Sequence, residues 1–132
     1  VAFMSYSTFG NPMGERAEKL RDAVAMLDEM DGLDFEYEGE MPPDLALLPE
    51  ARVNFPFMRL SGPANVLIMP AIHSATISTQ LIQALGGGTV IGPILLGLSK
   101  PVQICPLSAS VSKILQMATL CAHERALAVV DG

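Results

Sequence analysis

From Leu60 to Ser99 the chain carries no Asp, Glu, Lys or Arg, whereas residues 1–59 hold twelve of its fourteen acidic side chains. A solvent-facing segment normally carries Lys and Glu, so an uncharged stretch of this length calls for burial or for a covering partner. Its parts alternate in character. "NVLIMP" (65–70) is a continuous apolar run, as in a strand buried on both faces. A helical pattern follows from Ser74 to Leu85, with Ile77, Leu81 and Leu85 as its apolar stripe and Gly86 as its stop. The other face of that helix carries Ser74, Thr76, Ser78, Thr79, Gln80 and Gln83, polar but without charge. Interface centres are depleted in charge, so this face reads as a subunit or domain interface; an uncharged exposed helix is the alternative.

The flanking segments continue the alternation. "VAFMSYS" (1–7) reads as a buried strand, and in "GNPMG" Asn11 is placed to cap a helix with Pro12 at its first position. Apolar residues at Ala17, Leu20, Val24, Leu27 and Met30 predict a helix over 13–30, ended by Asp31-Gly32. "LDFEYEGE" (33–40) alternates Phe35 and Tyr37 with acidic residues, which predicts a strand with a solvated acidic face. "PDLALLPEARV" predicts a short helix interrupted at Pro49. "GGGTVIGP" brings the chain back, "PVQICP" (101–106) predicts a fourth strand, and Ser110 caps a last helix with Val111, Ile114, Leu115, Ala118 and Cys121 on one side. Strand and helix alternate four times, which predicts an α/β layered fold with a mainly parallel sheet.

At 132 residues the chain is one domain's worth of material, and its net charge of -6 excludes the basic face that nucleic acid needs. No apolar run is long enough to span a membrane, because Gly and Pro interrupt "VIGPILLGL". Cys105 and Cys121 are too few for a disulfide framework or a metal site and read as core thiols of a cytoplasmic protein. No basic and apolar leader opens the chain, and a start on a strand without Met reads as a piece of a longer polypeptide.

Candidate chemistry is sparse. "SYSTFGN" places Ser5, Ser7, Thr8, Gly10 and Asn11 where a strand gives way to a helix, the edge at which open α/β sheets bind ligands, although helix capping explains the same residues. His73 stands alone and reads as a cap or polar core residue. The glycines at 86–88 follow a helix, whose carbonyls repel anions, and so read as a stop. Glu36, Glu38, Glu40 and Asp44 invite a metal, but their spacing reads as a solvated face. No catalytic constellation emerges from the residues themselves.

"SYSTFGN", "GEMPPD", "GPANVLIMP" and "GGGTVIGPILLGLSKPVQ", in this order, resemble the C-terminal portion of the phosphate acetyltransferase (phosphotransacetylase) family. The resemblance implies that residues 1–132 are part of a larger two-domain α/β/α fold of isocitrate dehydrogenase type, usually dimeric, with coenzyme A and acetyl phosphate bound in its cleft. On this chain it points to Ser7, Thr8, Gly10, Asn11, Gly92, Pro93 and Lys100 as ligand contacts. The family's acyl-transfer Ser, Arg and Asp fall at Pro106, Leu107 and Lys113, none of which can do that chemistry; Leu107 cannot replace the fork of an arginine. A polar family position also reads Phe9. This pattern is similar to the phosphotransacetylase-like domain at the C-terminus of bacterial NADP-dependent malic enzymes. The implied roles are acetyl-CoA sensing and homo-oligomer formation, with NADP and a divalent metal (Mg or Mn) used elsewhere in the parent chain. An active acyltransferase and a purely structural dimerisation domain are the alternatives.

Overall fold

A computed structural model of the chain describes residues 1–86 and 88–130, with side chains to residue 126. Three parallel strands form one sheet: β1 (Ala2–Met4) lies between β2 (Glu38–Met41) and β3 (Leu67–Ile68). Helix α1 (Glu15–Asp28) links β1 to β2 and packs on both. A short helix α2 (Pro43–Leu47) and a 3₁₀ turn (Pro49–Asn54) carry the chain to β3 on the other side of β1, and α3 (Ile72–Ala84) follows. Helix α4 (Val111–Val130) comes last. The alternation predicted from sequence is therefore an α/β fold. The chain divides into two compact units, Val1–Gln80 and the residues from Leu81 onward, with the division inside α3.

The core of the first unit is built from Ala2 and Met4 of β1, Met41 of β2, Leu45 and Ala46 of α2, and Leu60 and Ala64. Ala2 and Met4 alternate with half-buried Phe3, as strand geometry requires. Arg52 holds the end of α2 by donating to the Leu45 and Ala46 carbonyls at 3.2 and 2.7 Å, which satisfies acceptors that a helix C-terminus leaves open. Phe9, Phe55 and Phe57 meet with ring centroids 5.0–6.0 Å apart, tilted or edge to face.

Several expectations need correction. Asn11 does not cap α1. Thr8 and Asn11 exchange backbone hydrogen bonds of 2.9 and 3.1 Å around Phe9 and Gly10, whose φ values of 47° and 94° suit a turn with two left-handed central residues. Gly14, with an extended backbone, is the N-cap of α1 instead. The acidic face of "LDFEYEGE" is solvated only in its first half: Asp34 and Glu36 are exposed, but Glu38 is 5% exposed and Glu40 wholly buried. Glu38 stands opposite buried Ala2 and is met by Arg59, and because Phe3 pairs with Gly39 and Met4 with Met41, Glu40 is the extra residue of a bulge.

The stretch "PVQICP" forms no strand. Pro101 and Pro106 lack ladder donors, and Gln103 makes the polar contacts itself, accepting from Leu95 N at 3.1 Å and donating to Leu95 O at 3.4 Å. Helix α3 buries no residue, so its Ile77 and Leu81 stripe is open in this chain. Gly86 does end α3, with φ 76°; Gly87 of the same stop lies outside the described residues. Ser110 caps α4, its hydroxyl accepting from Lys113 N at 3.2 Å. Among the described side chains of α4 Met117 is buried, while Val111, Ile114 and Leu115 of the predicted stripe are exposed. Cys105 and Cys121 are half-buried free thiols.

Candidate functional site

Strand order β2-β1-β3 means that the chain leaves β1 in one direction and returns on the other side. In an open α/β sheet that reversal leaves a crevice beyond the carboxyl ends of the two strands concerned, here β1 and β3. A cavity of about 400 Å³ occupies this place. Ser5 and Tyr6 from behind β1, Pro70 and Ala71 from behind β3, Arg16 of α1, and His73, Ser74 and Ile77 of α3 line it. The volume lies in the range typical of small-molecule sites, and the lining combines an apolar floor with a few polar groups. Arg16 and His73 bring donors, and the first turn of α3 adds backbone N–H groups without an intrahelical partner.

The loop between β1 and α1 owes its shape to Glu40. Oε1 of this carboxylate accepts from Ser7 Oγ at 2.6 Å, Gly10 N at 2.8 Å and Arg21 Nη1 at 2.8 Å. Its main-chain carbonyl accepts from Phe9 N at 3.0 Å, and Ser5 N donates to Met41 O at 2.9 Å. Burial alone would push the Glu40 carboxyl up, but the Ser7 hydroxyl, the Gly10 N–H and Arg21 together hold it below the usual carboxylate range. Oε2 is buried and has no hydrogen-bond partner among the described residues.

A second acidic cluster is structural. Glu38 accepts from Arg59 N at 2.9 Å and from its guanidinium at 3.2–3.3 Å; the same guanidinium donates to Asp28 and lies 4.8 Å from the Tyr37 ring centre. Tyr37 donates to Asp28 at 2.8 Å, so Arg59 and Tyr37 hold the Asp28 carboxyl below its ordinary range. Glu36 takes the Ser61 N–H and hydroxyl at 2.8 and 2.9 Å, which lowers it likewise. Asp44 is exposed. Among the described residues no three His, Cys, Asp or Glu side chains are grouped to hold a metal ion.

The sequence-derived contacts fall into both units. In the first, Ser7 is wholly buried with its hydroxyl proton committed to Glu40, the Gly10 N–H is committed likewise, and Thr8 and Asn11 form the turn. The residues of that loop which line the crevice are Ser5 and Tyr6. In the second unit Gly92 is half-buried, its carbonyl accepting from Lys113 Nζ at 3.0 Å, Pro93 is exposed, and Lys100 borders a cavity of about 220 Å³ with Leu95, Leu96 and Glu124. Pro106 and Leu107 are exposed. Sequence reasoning missed Arg16 and His73 as crevice residues. His73 had one available signal, its place between the apolar run "NVLIMP" and a helix, which is a strand-to-helix junction.

The strand reversal, the crevice and the helix ends around it define an open α/β ligand-binding fold. Within that class, a family model described as phosphate acetyl/butaryl transferase matches residues 1–122, and the chain belongs to this family. It is 54% identical over 124 residues to an NADP-dependent malic enzyme of Rhizobium meliloti (strain 1021), covering 94% of this chain and 16% of that protein. It is 45% identical over 133 residues to a probable NADP-dependent malic enzyme of Rickettsia prowazekii (strain Madrid E), covering 94% of this chain and 17% of that protein. The EutD phosphotransacetylase from Staphylococcus aureus superposes with a TM-score of 0.83 at 29% identity, over 93% of this chain and 38% of that one. The chain thus spans a minor part of each relative's length.

Proposed function

We propose that residues 1–132 are the C-terminal portion of a phosphotransacetylase-like domain in a longer NADP-dependent malic enzyme. There the segment responds to acetyl-CoA or a related acyl-CoA and helps build a homo-oligomer, and it transfers no acyl group itself. Malate is oxidatively decarboxylated to pyruvate elsewhere in the parent chain, where NADP and a divalent metal act, in the cytoplasm.

The observation that carries this reading is the content of the positions at which the family resemblance puts the transfer chemistry. Leu107 has no charge with which to hold a phosphoryl or thiolate group. Lys113 stands where an acid is called for, and its ammonium is bound to the Gly92 carbonyl. High identity to malic enzymes over nearly the whole segment supports the same parentage.

Ligand contacts in the first unit are assigned to the crevice. Arg16 and His73 suit a phosphate or thioester oxygen, and Ile77, Pro70 and Ala71 suit an apolar arm. Gly92, Pro93 and Lys100 are kept as contacts in the second unit. Coupling needs only differential affinity: a tenfold preference of acetyl-CoA for one quaternary arrangement shifts the equilibrium by about 1.4 kcal/mol. Exposed Ile77, Leu81, Ile91 and Ile94 on an uncharged stretch support a covering partner, either another part of the parent or a second copy.

An acetyl phosphate plus CoA assay on the full-length polypeptide tests the reading. No turnover, together with calorimetric heat from acetyl-CoA, is the expected result. Turnover at enzymatic rates would assign an active acyltransferase, and no turnover with no heat would leave a structural dimerisation domain.

A further inference from the structure

We propose that Glu40 is a positioning residue, which fastens the loop behind β1 to α1 and thereby sets Tyr6 at the crevice, beside Ser5, whose N–H is already held by Met41 O of β2. The inference rests on the reading of that crevice as the acyl-CoA site. Three observations carry it. Glu40 is the extra residue of a bulge, left without a partner in β1, a device that re-aims a side chain, and here the side chain is wholly buried. Each donor to its Oε1 belongs to an element bordering the crevice: the Ser7 hydroxyl and the Gly10 main-chain N–H lie in the loop that carries Ser5 and Tyr6, and Arg21 shares α1 with Arg16. The arrangement is also a poor way to gain stability. A buried carboxylate with one oxygen unpartnered is commonly less favourable than a packed apolar side chain of the same size. Fixing a loop that must present Tyr6 in one geometry gives such a costly group a use, since a site needs its first ring of residues held by a second.

The test uses the full-length polypeptide with Glu40→Gln, which keeps the shape and removes the charge, and Ser7→Ala, which removes one donor and leaves Glu40 paired with Arg21. Backbone amide exchange is compared at Phe9 and Gly10 and at Ser5, which bonds β2, and acetyl-CoA affinity is measured by calorimetry. Charge-assisted hydrogen bonds of this kind are each worth about a tenfold change. In Glu40→Gln the Phe9 and Gly10 amides are expected to exchange roughly tenfold faster and acetyl-CoA to bind roughly tenfold more weakly, with Ser5 unchanged within about twofold. Loop amides as protected as in the wild type overturn the proposal. So does an equal loss of protection at Ser5, which would make Glu40 a general stabiliser. If Glu40→Gln does not fold, Ser7→Ala decides on the same criteria. Absence of acetyl-CoA heat from the wild type would sink the ligand assignment alone, and the exchange comparison would still decide whether Glu40 sets the loop.

Discussion

The loop behind β1 and the stretch from Gly88 to Leu107 are both poor in regular structure, yet they are opposite in construction. In the first, Ser7, Phe9, Gly10 and Asn11 have named hydrogen-bond partners within the first unit, and its buried charge meets Arg21. In the second, Lys100 is the single charged side chain, and Ile91, Leu96, Leu98, Ile104 and Leu107 are all more than half exposed. Irregular backbone is stable alone when its polar groups are satisfied locally. Exposed apolar side chains on an uncharged segment mark a surface whose burial comes from elsewhere. The first region is thus complete in this chain, and the second has the composition of a face made for a partner.

The largest expected effect tests the completeness of the first region. A Cβ at Gly39 would lie 2.7 Å from Phe3 Cβ and 3.1 Å from Phe3 O, and the backbone of β1 cannot retreat without breaking its pairing with β3. Gly39→Ala is expected to destabilise the chain by roughly 3 kcal/mol or more, read as a shift of the urea midpoint. A shift below about 1 kcal/mol would show that the β1–β2 contact is softer than the register implies. Next, Ser7→Ala is expected to cost about 1.5 kcal/mol in the same measurement, because it removes a hydrogen bond to a buried carboxylate while two other donors remain.

A pH series sharpens the same contrast. The Glu40 carboxyl is held below its ordinary value of 4.5, so its contribution is fully present above that value and is lost as pH falls through the folded-state value. Glu36 and Asp28, lowered by Ser61 and by Arg59 with Tyr37, act in the same direction. The unfolding midpoint is therefore expected to be flat down to about pH 5 and to fall below it, with a shallower fall in Glu40→Gln. An identical acid limb in the variant would place the acid sensitivity in Glu36 and Asp28 instead.

Reading the sequence recovered what depends on short-range periodicity. Strand and helix alternation, the break at Pro49, the stop at Gly86 and the Ser110 cap all lie within a few residues of their cause. It failed where the cause lies far along the chain. Alternation through "LDFEYEGE" puts Glu38 and Glu40 on one face without saying that it is the buried one; Arg59 and Arg21, some twenty residues away, meet the two carboxylates there, and the bulge opposite Phe3 and Met4 falls at Glu40. The crevice was half legible. "SYSTFGN" marked the right strand end, but the choice of Ser5 and Tyr6 over Ser7 and Gly10 depends on the position of Glu40, which no spacing within the loop encodes. The fourth strand was misread because an apolar run shows that a segment wants to be buried without showing whether a neighbour is available to pair with it.

That last distinction yields the smallest expected effect and the most direct test of the second region. Leu107 is fully exposed in this chain. Replacing it by Ser removes apolar surface that is already in water, so Leu107→Ser is expected to change the stability of these 132 residues by less than about 0.5 kcal/mol. In the full-length polypeptide the same substitution acts on whatever covers the segment, and burial of a leucine side chain is worth about 2 kcal/mol. The difference between the two measurements, and neither alone, reports on the cover. Equal small effects in both would mean that Leu107 stays in water in the parent, and the covered face would then have to be sought along α3, whose Ile77 and Leu81 are open as well. A substantial loss confined to the full-length chain would place Leu107, which stands where the family resemblance calls for an arginine, inside an apolar contact and not at the mouth of a ligand site.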